Sequence, residues 1–226
     1  MEREELIASR LTILLKELEG KATLVAVSKY SPLLDITYAL NAGQHDFGES
    51  RVQDLAKKSA QLNSSNIRWH FIGHLQRNKV KPLLAIPNLY SVHSVDSLRL
   101  LQELLAQESS FTGNCLKLYL QVNCSGESSK GGFSPGEELD QGISTLLDAN
   151  LSKYALAGLM TMGPILTDNF ESDAGEAFEY LRRERDRIVI KFSLTNLELS
   201  MGMSRDFRVA LGQESDIVRI GGHIFA

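Results

Sequence analysis

Cysteine is scarce in this sequence, which argues against a fold held together by disulfides. The 226 residues include two cysteines, Cys115 and Cys124, which form no C-x-x-C pair. A chain of this length buries enough surface to fold without disulfides, so we expect both cysteines to be reduced. The five histidines do not stand at the spacings of metal-ligand motifs, so we expect no zinc site.

Clusters of one charge and long apolar runs are also missing. The chain carries 24 Lys+Arg against 28 Asp+Glu, a formal net charge of −4, and the arginines of residues 182–187 are interleaved with Glu184 and Asp186. This gives no electrostatic basis for binding nucleic acid or an anionic membrane, although a local pocket can still bind a small anion. No window approaches the roughly 18 apolar residues of a membrane-spanning helix, and the first residues do not resemble a signal peptide. We expect a cytoplasmic protein.

The sequence does contain a regular alternation of two patterns. Short apolar or β-branched runs alternate with longer segments of helical periodicity. The runs are residues 24–28, 45–49, 69–73, 88–92, 117–123, 155–160, 196–200 and 216–220. Their separation excludes hairpins and favours parallel strands joined by crossover helices.

Eight repeats of strand and helix predict a closed (β/α)8 TIM barrel, with an open doubly wound sheet as the alternative. The repeats use nearly the whole chain, so we expect one barrel domain over residues 1–226 and no second domain. Residues 1–20 are predicted to form a helix packed on the barrel. Its apolar stripe consists of Ile7, Leu11, Leu14 and Leu18.

A barrel binds its ligand at the carboxyl ends of its strands, and the loops after strands seven and eight commonly hold phosphate. After strand seven, Ser204 is a plausible N-cap with Asp206 in the first helical turn. After strand eight, Gly221 and Gly222 leave backbone N–H groups free to face an anion. These loops resemble a phosphate cradle; the alternative is that the glycines only turn the chain.

Lys29 stands at the end of the first predicted strand. Val25, Val27 and Lys29 share one face by the period of two, which places an amine beyond two apolar side chains. An unprotonated lysine amine at a barrel mouth can form a Schiff base with a carbonyl compound. The alternative is a strand-end lysine surrounded by solvent.

Arg219 raises a similar question in the eighth predicted strand. Arg219 lies two residues after Ile217 and therefore on the same face of the strand, so if Ile217 faces inward the guanidinium does too. The nitrogen of a pyridine ring placed against Arg219 would stay unprotonated, because a guanidinium only donates hydrogen bonds and offers no acceptor for a ring N–H. The alternative is a surface salt bridge with Asp216 or Glu214.

Other features are less informative. His70, between Trp69 and Phe71, is better explained as a packed strand histidine than as a catalytic base. Residues 125–132 are rich in Gly and Ser and are predicted to form a loop at the ligand-binding face. This loop lacks the lysine placement of a P-loop, and the sequence contains neither a G-x-S-x-G motif nor a dinucleotide fingerprint.

An ordered set of short motifs from about residue 20 onward resembles the pyridoxal phosphate homeostasis proteins, which are relatives of the barrel domain of bacterial alanine racemase. The motifs are Val25-Ala-Val-Ser-Lys29 with Pro32, Gly43-Gln44 with Phe47-Gly-Glu49, Trp69-His-Phe-Ile-Gly73 with Leu75-Gln76 and Asn78-Lys79, Gln121-Val-Asn123 with Lys130, Gly158-Leu-Met160, Leu199-Ser-Met-Gly-Met-Ser204 and Val218-Arg-Ile-Gly221.

The resemblance implies that Lys29 carries pyridoxal 5′-phosphate (PLP) as a Schiff base and that Arg219 lies near the pyridine nitrogen. It further implies that the loops after strands seven and eight hold the phosphate. The residues of these loops that we assign to the cofactor are Met201, Ser204, Gly221 and Gly222.

The sequence departs from the family pattern at two positions. The family usually has threonine or serine where this chain has Gly222, so a hydroxyl contact to phosphate is replaced by backbone N–H groups. The usual asparagine after Phe-Gly-Glu is Ser50 here.

Three functions follow as hypotheses. The leading one is a monomeric PLP homeostasis protein with little or no catalysis, which meets amino acids or PLP-dependent apo-enzymes. The second is a slow PLP-dependent racemase, or a related PLP enzyme, with Lys29 as base and an unassigned acid such as His74 or His223. The third is a barrel that binds another phosphorylated metabolite, with Lys29 as a counter-charge.

Overall fold

Eight parallel strands form a closed barrel in the computed structural model, which describes residues 2–62, 66–124, 131–164 and 167–226. The strands are β1 (Thr23–Val27), β2 (Asp46–Glu49), β3 (Arg68–Phe71), β4 (Leu89–Val95), β5 (Leu116–Gln121), β6 (Tyr154–Met160), β7 (Glu198–Met203) and β8 (Ile217–Ile220). Each predicted apolar run contributes one strand.

Pairing of β1 with β8 closes the barrel. β1 is hydrogen-bonded in parallel to β2 on one side and to β8 on the other, with Val25 opposite Arg219. The predicted TIM barrel is therefore confirmed, and the open doubly wound alternative is excluded. β7 continues three residues beyond the predicted run, as far as Met203.

Helices surround the barrel and connect successive strands. They are α1 (Arg3–Leu18), α2 (Leu33–Asn41), α3 (Val52–Gln61), α4 (Val80–Leu84), α5 (Leu98–Ala106), α6 (Glu137–Asp148), α7 (Phe170–Lys191), α8 (Phe207–Gly212) and α9 (Gly222–Phe225). The short α9 was not predicted. Among the described residues, no helix is both long and apolar enough to cross a bilayer.

The first helix packs as its apolar stripe predicts. All four stripe residues are buried, and α1 contacts α2 and α9. The Arg3 guanidinium pairs with the Asp35 carboxylate at 2.6 Å and donates to the carbonyl oxygen of Phe225. This helix therefore fixes the segment that follows β8, which forms one wall of the site described below.

The two faces of the strands differ in chemistry. Outward-facing side chains such as Leu199, Val218 and Ile220 belong to one continuous apolar core between strands and helices. Inside the barrel, an apolar cluster of Val25, Tyr119, Met160 and Ile217 adjoins buried polar side chains. These polar side chains include Asp46, His70, Ser91, His93, Ser200 and Arg219.

Candidate functional site

A cavity of about 350 Å³ opens at the carboxyl ends of the strands. Its lining comprises Val27, Lys29, Ser50, Ile72, Met160, Met162, Pro164, Phe170, Met203, Ser204, Arg205, Asp206 and Arg219. The lining combines apolar side chains with a few polar and charged groups, which is typical of a cofactor pocket. Lys29, Ser204 and Arg219 had been predicted as site residues, and the cavity brings all three together.

Lys29 lies just beyond the end of β1 and reaches the cavity from its rim. Val25 is buried inside the barrel, and both Val27 and Lys29 line the cavity, as the period of two predicts. The Lys29 side chain is exposed, and its Nζ lies 5.2 Å from the centroid of the Tyr30 ring. The amine is thus accessible to a ligand that enters from solvent.

Arg219 lies inside the barrel on β8. Its Nη1 donates to the carbonyl oxygen of Ser200 at 2.8 Å and to Ser200 Oγ at 2.5 Å, and its Nη2 donates to the carbonyl oxygen of Thr161 at 2.9 Å. Burial lowers the pKa of Arg219 to about 10, against an opposing effect of Asp206. The guanidinium is therefore a fixed, buried cation in the cavity wall.

The surface salt bridge considered for Arg219 is not formed. Glu214 pairs instead with Arg185 at 2.8 Å, and the Asp216 carboxylate accepts the backbone N–H of Leu199 at 2.7 Å.

The loops after β7 and β8 approach each other at Ser204 and Gly222. A Cβ added to Gly222 would lie 3.7 Å from Ser204 Oγ, with no closer neighbour. A Cβ on Gly221 would lie 2.6 Å from the carbonyl oxygen of Val27, so this position requires glycine. Gly221 and Gly222 line a second cavity of about 300 Å³ that also includes Val27 and Lys29. The space between these loops is compatible with a small anion held by backbone N–H groups and a hydroxyl.

Met201 and Met203 lie in different environments. The Met201 side chain is fully buried in the outer core, whereas Met203 lines the cavity. The pairing of β7 with β8 shifts register between Ser200 and Met203, and Gly202 has a φ of +93°. Met201 points outward, as Leu199 does, and the irregularity at Gly202 turns Met203 towards the cavity. The Met201 side chain is therefore not available to a ligand in the cavity.

Asp206 is a cavity residue whose role was not predicted. The predicted N-cap at Ser204 is wrong, since α8 begins after Asp206, which occupies the N-cap position. Its Oδ1 accepts the backbone N–H of Met203 at 2.5 Å, which folds the loop back on itself. Burial raises the pKa of Asp206 despite this hydrogen bond and the nearby Arg219.

The remaining predicted site residues lie elsewhere. His74 Nδ1 is 3.0 Å from a carboxylate oxygen of Asp96, and His223 packs edge-on against Phe207. Neither ring lines the cavity. Lys130 and the rest of residues 125–130, which were predicted to form a loop at this face, lie outside the described residues.

The two cysteines are unpaired, as expected; Cys115 is exposed and Cys124 partly buried. His70 is buried in β3, where its ring lies 2.9 Å from Asp46.

Comparison with known proteins identifies the family. The chain is 38% identical over 203 residues to the pyridoxal phosphate homeostasis protein of Schizosaccharomyces pombe, covering 89% of this chain and 82% of that protein. It is 37% identical over 208 residues to the protein of that name from Aquifex aeolicus, covering 92% and 87%. The chain belongs to the pyridoxal phosphate homeostasis protein family.

Solved structures agree with this membership. PipY of Synechococcus elongatus, solved with and without PLP, is 32% identical, and the match covers 97% of this chain and 100% of PipY. The TM-scores are 0.87 without PLP and 0.86 with it. No protein-family model matches the chain.

Alanine racemases share the barrel fold with this chain but little of its sequence. The Clostridium difficile enzyme has a TM-score of 0.71 at 12% identity, over 97% of this chain and 56% of the racemase. Such a likeness shows the fold alone.

Proposed function

We propose that this protein binds PLP reversibly as a Schiff base on Lys29 and serves intracellular PLP homeostasis with little or no catalysis of its own. The observation that carries the proposal is that two cavities share the accessible Lys29: one also contains Ser204 and the buried Arg219 cation, and the other contains Gly221 and Gly222. The family name and the PipY structure with PLP bound support the same ligand.

Lys29 would supply the covalent link. Lys29 Nζ would form a C=N bond with the aldehyde carbon as one water molecule leaves, and water or another amine could reverse the link. PLP supplies an electron-accepting ring when it is bound, and the protein determines how far that property is used. Because Lys29 is exposed, exchange with solvent amines is not sterically blocked.

Ser204 and the backbone around Met201, Gly221 and Gly222 would hold the phosphate. Ser204 Oγ and the open side of Gly222 face the same space, where N–H and O–H donors can converge on an anion.

Arg219 would face the pyridine nitrogen. A guanidinium donates hydrogen bonds but cannot accept one, so it favours an unprotonated ring nitrogen and weakens the ring as an electron sink. The buried Arg219 thus accords with binding in preference to catalysis.

Reconstitution tests the proposal. Purified protein is incubated with PLP, dialysed and examined by absorption spectroscopy before and after borohydride reduction. We expect a yellow complex whose band is lost on reduction, no such complex in Lys29→Ala, and normal binding in Lys57→Ala, which removes another exposed lysine from a neighbouring cavity. A colourless wild-type protein would overturn the proposal. Binding that borohydride does not affect would favour the alternative in which Lys29 is only a counter-charge.

A slow racemase remains the second hypothesis from sequence, and the cavity offers it little support. Neither His74 nor His223 lines the cavity, and Asp206 is its one carboxylate among the described residues. Deuterium incorporation at Cα of amino acids in deuterated buffer distinguishes the two functions. We expect a rate no faster than that of free PLP, and a clearly faster rate that Lys29→Ala abolishes would establish the enzyme.

We further propose that the protein is a cytoplasmic monomer that exchanges PLP with amino acids or PLP-dependent apo-enzymes. Light scattering of the purified protein tests the monomer. Transfer of PLP to an apo-enzyme, faster than its release into buffer, tests the exchange.

A further inference from the structure

A line of hydrogen-bonded side chains crosses the barrel interior from its amino-terminal end to Arg219. Arg68 Nη2 pairs with Asp46 Oδ2 at 2.5 Å, and Asp46 Oδ1 lies 2.9 Å from His70 Nε2. His70 Nδ1 lies 3.1 Å from His93 Nε2, and His93 Nδ1 lies 2.8 Å from Ser200 Oγ. Ser200 Oγ is the atom that accepts from Arg219.

The two ends of this line fix the direction of the hydrogen bonds that they make themselves. At one end the Asp46 carboxylate is ionised and can only accept, so His70 Nε2 must donate. At the other end Arg219 can only donate, so Ser200 Oγ must accept from it and has its own hydrogen left to give. The acceptor within reach of that hydrogen is His93 Nδ1.

The middle of the line then has one consistent arrangement with neutral rings. His93 carries its proton on Nε2 and donates to His70 Nδ1, which also faces Ser91 Oγ at 2.7 Å. The opposite tautomer of His93 would set the lone pairs of His93 Nε2 and His70 Nδ1 against each other and would leave the Ser200 hydrogen without His93 Nδ1 as its acceptor. The Asp46 carboxylate thus helps to determine the proton positions, although the His70 and His93 rings and the Ser200 hydroxyl separate it from Arg219.

The surroundings favour neutral rings. Burial keeps the pKa of His93 well below its ordinary value; the positive charges of Arg219 and Lys117 lower it further, as does His70 whenever that ring is protonated. Burial also lowers the pKa of His70. The charges of Arg68 and Lys117 lower it further, whereas Asp46 raises it and is outweighed.

Neighbouring groups complete this setting. Lys117 is paired with Glu198 at 3.0 Å, and the Tyr119 hydroxyl also donates to that carboxylate. The Tyr119 ring stacks on His93 at 4.3 Å, and the Tyr90 ring meets His70 at 5.3 Å.

We propose that His93 is a positioning residue, which acts through Ser200 to hold the Arg219 guanidinium in place in the cavity wall. A neutral His93 with a free Nδ1 takes the Ser200 hydrogen, so that Ser200 Oγ presents a lone pair to Arg219. The proposal deepens the proposed function where it concerns PLP, but the arrangement of protons belongs to the protein without ligand.

Nitrogen NMR of ligand-free protein labelled at histidine tests the arrangement directly. We expect His70 and His93 to remain neutral with hydrogen on Nε2 through the pH range around 6.5, in which an exposed histidine titrates. The same rings should titrate in the urea-unfolded chain. Signals are assigned with His70→Asn and His93→Asn. A ring with hydrogen on Nδ1, or one that titrates near pH 6.5 in the folded protein, would overturn the proposal whether or not PLP binds.

A set of four variants tests the positioning role in the PLP complex. His93→Leu and Ser200→Ala break the line next to Arg219, whereas His93→Asn keeps an acceptor atom where Nδ1 lies. Ser94→Ala is the matched control. Ser94 lies next to His93 on β4 and is also buried, but its hydroxyl donates to the Gly73 carbonyl and is not part of the line to Arg219. The readouts are the rate of PLP release and the pH dependence of the absorption band.

We expect about fivefold faster release and a displaced pH profile in His93→Leu and Ser200→Ala, the change that loss of one hydrogen bond predicts. His93→Asn and Ser94→Ala should stay within about twofold of wild type. Equal behaviour of Leu and Asn at position 93, or of Ser200→Ala and Ser94→Ala, would refute the positioning role. A wild-type protein without covalent PLP would refute the proposed function alone, because the NMR result is independent of it.

Discussion

The outer faces of the barrel strands carry the apolar packing that stabilises the fold, whereas the inner faces carry the polar side chains next to the ligand cavity. On β7, Leu199 points outward and is fully buried among apolar side chains, whereas the adjacent Ser200 points inward and contacts Arg219 and His93. Apolar packing is non-directional and contributes most of the free energy of folding, while a hydrogen bond contributes about 1 kcal/mol but fixes an orientation. The outer face should therefore determine whether the protein folds, and the inner face how it holds its ligand.

The largest effect is expected from a cavity in the outer face. Leu199→Ala should lower the free energy of unfolding by about 2–5 kcal/mol, because it removes most of a fully buried side chain and leaves a cavity. Urea denaturation measures the loss. PLP retention by the folded variant should match wild type. Ser200→Ala should instead release PLP faster and keep nearly the wild-type free energy of unfolding. A variant of Leu199 that retains stability but loses PLP would contradict the division of roles.

Asp46 should have the next largest effect, although it faces inward. Burial alone would raise its pKa, but hydrogen bonds from Arg68 and His70 outweigh burial and lower it to about 2. The carboxylate therefore contributes stability above its ordinary pKa of 3.8, and this contribution is lost as the pH falls towards 2. Asp46→Asn should lower the free energy of unfolding by about 2 kcal/mol at neutral pH.

The control for Asp46 is Asp148→Asn, which neutralises an exposed carboxylate at the end of α6. Urea denaturation at pH 7 and pH 3 compares the variants. Equal effects of the two substitutions would mean that the interior carboxylate is no more important than a surface one.

The interior histidines should make stability depend on mildly acidic pH. The pKa values of His70 and His93 are lowered by burial, so the unfolded chain binds more protons than the folded one below about pH 6.5. The free energy of unfolding should fall with decreasing pH by up to about 1.4 kcal/mol per pH unit for each ring.

His93→Asn should reduce this slope by the contribution of one ring. Leu199→Ala should shift the whole profile downward without changing the slope, because it alters packing and no titrating group. An unchanged slope in His93→Asn would show that this ring is already protonated or does not titrate on unfolding.

Gly222→Thr should have the smallest effect and the opposite sign. The open space beside Gly222 admits a Cβ, and a threonine hydroxyl there would add one hydrogen bond to a phosphate held near Ser204. PLP release measured by dialysis should slow by about fivefold. Unchanged or faster release would contradict the placement of the phosphate between these loops.

The sequence predicted the barrel because its eight apolar runs are separated by helix-length segments. It also predicted that Arg219 shares a face of β8 with Ile217, and the structure shows that this face points inward. Both predictions rest on local periodicity, which survives in the folded structure.

Two parts of the site could not be predicted from periodicity. Regular alternation would place Met203 on the outward face with Leu199 and Met201. It lines the cavity because Gly202 carries a positive φ at a register shift, and a glycine alone does not reveal such an irregularity. The buried polar side chains of the barrel interior were also not predicted to contact one another. Which of them meet, such as His93 of β4 with Ser200 of β7, depends on the stagger of strands distant in sequence.

The central claim is that one lysine holds PLP, and peptide mapping by mass spectrometry tests it most directly. The protein is incubated with PLP, reduced with borohydride, digested and analysed for the added mass. We predict that the modified peptide contains Lys29 and that other lysines carry at most traces. An unmodified Lys29 peptide, or label spread evenly over the lysines of the chain, would contradict the claim.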